Sequence, residues 1–172
     1  MKRCRMFALL TGMLLLLSQT MGVAANSNTG YDPRTMTFEE RAEWVEENVE
    51  PVYSGQAHSL TRGEWLYTNT QEDKVGNDMY DVGQLQTAVK FLCNSDFTEV
   101  EDYATVTFRA IPLKADIIVD TDYFADYFAP NNVRIIYTAW FADLSGAYYI
   151  EHWYNLHGDG AYDVRLVTGG PY

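Results

Sequence analysis

The sequence predicts an α+β protein: a long N-terminal helix packed on a curved antiparallel sheet that ends in a three-stranded meander. Two observations carry this expectation. Residues 37–51, TFEERAEWVEENVEP, set Phe38, Ala42, Val45 and Val49 at the i, i+4, i+7, i+11 spacing of one buried helical face. Residues 132–168 hold three β-rich runs, NVRIIYTAWFA, AYYIEHWYNL and AYDVRLVT, separated by the turn sequences DLSG and HGDG.

Residues 1–25 read as a secretory leader that is removed. Lys2, Arg3 and Arg5 precede an apolar run from Met6 to Leu17, and Val23-Ala24-Ala25 supplies small residues for cleavage. The run is shorter than the roughly 20 residues a bilayer-crossing helix needs. Cys4 lies ahead of it, where it cannot become a lipoprotein cysteine. Cleavage leaves 147 of 172 residues, the size of one domain with its own core. The leader takes three basic residues and no acid, so the net charge goes from −12 to −15. Such a surface repels nucleic acid and anionic membranes, and it steers toward basic partners or cations or simply keeps the chain soluble. Cys93 alone remains, so no internal disulfide forms; following Phe91-Leu92, it reads as a small buried hydrophobe. With no Asn-x-Ser/Thr sequon, the chain is expected to be a bacterial periplasmic or secreted protein.

Residues 26–36, polar with Gly30 and Pro33, read as a flexible arm, and 37–172 as the single folded domain. Thr37 caps the helix, Glu40 reaches back to it, and Pro51 ends it. GEWLYTN, 63–69, predicts a short strand; TQEDKVGNDMYDVG, 70–83, rich in charge and glycine, predicts a loop. QLQTAVKFLC, 84–93, fits either regular structure. Leu85, Ala88, Val89 and Leu92 line one helical face, while Leu85, Thr87, Val89 and Phe91 line one strand face; the helix is preferred. DYATVTFRAI, 102–111, is a strand, with ADIIV continuing it after Pro112.

DTDYFADYFAP, 120–130, nearly repeats itself: Asp122-Tyr123-Phe124-Ala125, then Asp126-Tyr127-Phe128-Ala129. A four-residue step advances about 40° beyond one helical turn, so twins stack and the aspartates form one narrow wet stripe. A strand would put Phe124 and Phe128 on the aspartates' own face. A second helix is therefore expected, started by Asp120 or Thr121 and stopped by Pro130. The aspartate spacing resembles a calcium loop, but that loop needs glycine where Ala125 stands and glutamate where Asn131 stands. No metal site is expected.

In the meander, turn lengths set Ala142 opposite Ala147, which faces Thr138 with Glu151 and Ile136 with Trp153. Setting Leu156 opposite Ala161 faces Trp153 with Val164 and Glu151 with Leu166. One face then carries Ile136, Trp140, Tyr149, Trp153, Tyr162, Val164 and Leu166 beneath the helix. Glu151 lies on that apolar face, where desolvation raises a carboxyl pKa toward the range of a general acid or base, unless Thr138 satisfies it. The opposite face gathers Tyr137, His152, Tyr154, Asp163 and Arg165, a mixture of tyrosine and charge suited to binding. His152 and His157, five residues apart, point to opposite faces and make no zinc pair. No cofactor is implied.

The chain holds no CxxC, HExxH, Gly-x-Ser-x-Gly or phosphate-loop motif. The expected shape is that of cystatin-like rolls, an analogy of fold alone. The favoured function is an exported, non-enzymatic acidic module that binds a basic protein or a cell-surface glycan through the Tyr/Trp-rich sheet face. The alternatives are a small pocket enzyme acting through Glu151, and a homodimer whose partner covers the tyrosine face.

Overall fold

A computed structural model describes residues 30–58, 65–129, 131–144 and 146–172. The expected leader, 1–25, lies outside the described residues. One helix, α1 (Phe38–Asn48), is followed by β1 (Pro51–Gln56), β2 (Leu66–Tyr67), β3 (Gln71–Asn77), β4 (Tyr80–Cys93), β5 (Val100–Pro112), β6 (Ile118–Ala129), β7 (Asn132–Asp143), β8 (Gly146–His157) and β9 (Ala161–Gly169). The fold is mainly β, not α+β, and its helix is short.

The strands form two sheets. The first has the order β1-β9-β8-β7-β6. In the second, β2 and β3 flank one side of β4 and β5 the other. The main core fills the space between them: Leu85, Val89 and Phe91 of β4 meet Ile135, Phe141, Ile150, Tyr154, Leu156 and Val164 of the first sheet. A smaller cluster lies on the first sheet's outer face, where Ala42 and Val45 of α1 and Tyr31 cover Ile136, Tyr149, Trp153 and Val167. Trp153 is buried there and Trp140 half-buried. The layers therefore run helix, sheet, sheet. This corrects the expected cystatin-like roll, in which one sheet would have sheltered its whole core beneath the helix.

The helix begins as expected. The Thr37 hydroxyl accepts from the Glu40 amide at 3.3 Å, and the Glu40 carboxylate accepts from the Thr37 amide at 2.8 Å, which closes a capping box. The polar segment ahead of it carries Tyr31, which is buried.

The other two expected helices are strands. Residues 84–93 lie within β4, and the expected loop at 70–83 supplies β3 and the start of β4, paired from Gln71↔Thr87 to Asn77↔Tyr80. The strand wins because β4 has neighbours on both sides that take up its backbone groups, while Leu85, Thr87, Val89 and Phe91 point together into the core. Residues 118–129 form β6, paired along their length with β7. A period of four is also twice the strand period of two, so the repeat fits a strand equally well. Phe124 does share a face with the aspartates: its ring meets Phe38 at 4.1 Å, while Asp120, Asp122 and Asp126 remain exposed.

Between β7 and β8 the register is the expected one, with Thr138↔Glu151 and Trp140↔Tyr149. Between β8 and β9 it is displaced by one residue: Leu156↔Tyr162, Trp153↔Arg165 and Glu151↔Val167. The cause is Gly160, at φ 86°, whose amide bonds to the His157 carbonyl at 3.0 Å. A left-handed glycine after such a turn adds a residue to the connection. One residue exchanges the faces of a strand, so Tyr162, Val164 and Leu166 point between the sheets and Arg165 and Val167 toward the helix.

Candidate functional site

Glu151 sits on β8 beneath α1 with 0% exposure. The Tyr31 hydroxyl and Trp153 Nε1, the latter at 2.8 Å, donate to Oε2. Arg41 Nη2 at 2.5 Å and the Thr138 hydroxyl at 3.3 Å donate to Oε1. Arg41 also donates to the Thr138 hydroxyl at 3.2 Å and through Nε to Tyr31 at 3.3 Å. Desolvation raises the Glu151 pKa against the opposing pull of Arg41, Tyr31 and Trp153. It raises that of Tyr31 too, helped by the adjacent carboxylate. Both carboxylate oxygens are fully engaged by protein donors, and the cluster fastens α1 and the Tyr31 segment to the sheet.

The sheet divides the other sequence-predicted residues. Tyr137, His152 and Tyr154 point between the sheets and are buried. His152 Nδ1 lies 2.7 Å from the Thr87 hydroxyl, which lies 2.9 Å from that of Tyr154. His152 Nε2 is 3.1 Å from Asp73 of the second sheet, off the line a hydrogen bond needs. The Tyr137 hydroxyl pairs with Thr105 at 2.7 Å, and burial pushes its pKa up to about 12. Asp163 and Arg165 form a separate network on the helix side. They pair at 2.7 Å, Arg165 donates to the Val49 carbonyl at 2.9 Å, and Asp163 accepts from Asn155 at 3.1 Å. The displaced β9 register separates these two groups.

Three aromatic side chains left in water lie on β6, the stretch expected to be a helix. Tyr123 is 56% exposed, Tyr127 53% and Phe124 45%. Tyr123 and Tyr127 face Tyr137 and Tyr103, while Phe124 faces the helix. On the helix face a groove of about 390 Å³ runs between α1 and β6–β7, lined by Phe38, Ala42, Glu39, Glu43, Glu47 and Asp126 among others, with the Glu46–Arg134 pair at 2.9 Å also on its wall. Glu39, Glu43 and Glu47, at i, i+4 and i+8, have no ion partner among the described residues. The sequence signal for this site was the wholly acidic wet side of α1 together with the aspartate–aromatic repeat.

Among the described residues no group of three or more His, Cys, Asp or Glu is disposed to hold a metal ion. No helix among them is long and apolar enough to cross a membrane. Comparison of the chain with protein-family models, curated proteins and solved structures finds no match.

Proposed function

We propose that the chain is an exported, non-enzymatic acidic binding module that engages a basic protein, and that the contact is made at the α1–β6 groove. One observation carries this reading: the carboxylates of Glu39, Glu43 and Glu47 stand unneutralised in a row beside an apolar floor of Phe38 and Ala42. Like charges at i, i+4 destabilise a helix, so this row works against the stability of α1. A lysine- or arginine-bearing partner relieves that repulsion on arrival, and the floor takes up its apolar side chains.

The test is binding of a synthetic peptide of alternating lysine and leucine at low and high salt, with a serine-for-lysine peptide as control. The lysine peptide should bind, lose affinity steeply as salt rises, and fail to bind the variant carrying Glu39→Gln, Glu43→Gln and Glu47→Gln. Equal binding of both peptides, or none, refutes the reading. A glycan is the second reading, supported by the exposed Tyr123 and Tyr127 rings, and its binding should ignore salt.

A further inference from the structure

β6 is the last strand of its sheet and, among the described residues, pairs only with β7. Every second amide of such a strand points away from the ladder, toward any strand that arrives. On β6 two of these are already taken. The Thr121 amide donates to the Asp120 carboxylate and the Tyr123 amide to the Asp122 carboxylate, each at 2.9 Å. The same device recurs on β5, the neighbouring edge of the second sheet, where Asp102 accepts from the Tyr103 amide at 2.8 Å. Aspartates thus occupy three amides along these two edges. The series breaks at Phe124, which has no carboxylate to offer the Ala125 amide, and Asp126, though it precedes Tyr127, lines the groove. By alternation the next outward amides belong to Ala125 and Tyr127, which stand opposite Ile135 and Val133 in the β7 register as non-hydrogen-bonded pairs.

The groove reaches this open stretch at Asp126, which lines it together with Glu43 and Glu47, and Phe124 packs on Phe38 beside it. A strand added here would sit about 4.8 Å beyond β6, with alternate side chains about 6.8 Å apart. Carboxylates at i, i+4 along a helix are about 6 Å apart, a close match to that spacing.

We propose that residues 124–127 of β6 are a strand-addition site that takes an extended basic segment of another protein as a sixth strand, its lysines or arginines facing Glu39, Glu43 and Glu47. A second copy of this chain is a poor occupant, because it would bring its own acidic edge against this one. The inference rests on the groove reading above but is separable from it.

The experiment uses the alternating lysine–leucine peptide, a form of it N-methylated on alternate residues, and amide exchange on the full chain. Adding the peptide should slow exchange at Ala125 and Tyr127 and leave Thr121 and Tyr123 unchanged. The N-methylated peptide should bind about tenfold more weakly. Ala125→Pro, which removes an amide that faces away from the ladder, should weaken the unmodified peptide by a similar factor. If that variant misfolds, the N-methylated peptide still decides. Salt-sensitive binding with unchanged exchange and no effect of N-methylation overturns strand addition and leaves the groove reading standing. Failure of the peptide to bind at all overturns both.

Discussion

Arg41 of α1 and Glu151 of β8, 110 residues apart in sequence, meet at 2.5 Å beneath the helix, with the carboxylate withdrawn from water. This pair, rather than an apolar stripe alone, registers the helix on the sheet.

Removing one member leaves the other buried without its counter-charge. Arg41→Met should cost about 3–5 kcal/mol, the range for breaking a buried pair. The double variant Arg41→Met, Glu151→Leu should recover a large part of that loss, because neither charge is then stranded. Urea denaturation of the three proteins checks this, and additive losses would show that the pair is not coupled.

The same pair sets a dependence on pH. Glu151 has a folded pKa above its usual 4.5, so the folded state holds this proton more tightly than the unfolded chain. Its contribution favours folding below the unfolded value and is lost as pH rises through the folded one. Arg41 opposes the shift, so Arg41→Met should move it further up. The stability difference between variant and parent should therefore be small in acid and grow as pH rises from about 4.5. A difference that stays flat across that interval contradicts this account of Glu151.

Gly83 offers a steric test. A Cβ there would lie 2.2 Å from the Phe141 ring, in the space between the sheets. Gly83→Ala should destabilise by about 1–3 kcal/mol through overpacking, and adding Phe141→Leu should restore part of it. Thermal melts of the single and double variants measure both effects.

His157, at the end of β8, lies against Asp163 of β9. Its contact with Asp163 at 3.2 Å raises its pKa above 6.5, against partial desolvation. An NMR titration should place its midpoint above 6.5 and show it falling in Asp163→Asn. The stabilisation from this pair is present below 6.5 and lost as pH rises through the folded midpoint. An unchanged midpoint in the variant would assign the shift elsewhere.

Helix α1 was legible because its cap and its buried spacing are written within a few consecutive residues. The meander was legible for a similar reason: β-branched and aromatic runs alternate with glycine–aspartate turns. The second sheet was hidden. β3 is a charged strand of Gln71–Asn77, and β4 presents apolar residues at both periods. The repeat in β6 misled because its period suits both structures. The β9 faces were lost to the backbone of a single residue, Gly160. Glu151 stood out as a lone acid on an apolar face. Its partners Arg41 and Tyr31 did not, because no local pattern marks residues 110 and 120 positions away.

β1 pairs with β9, and α1 rests on β7, β8 and β9, so segments made early find their places only on segments made late. Contacts spanning most of the chain close slowly, since each demands a large loop before it returns any free energy. A nascent chain must therefore carry Ala42, Val45 and the Arg41 guanidinium uncovered until the final hairpin is complete. Docking of this helix should be a late kinetic event, well after the strands of β3–β5 have joined.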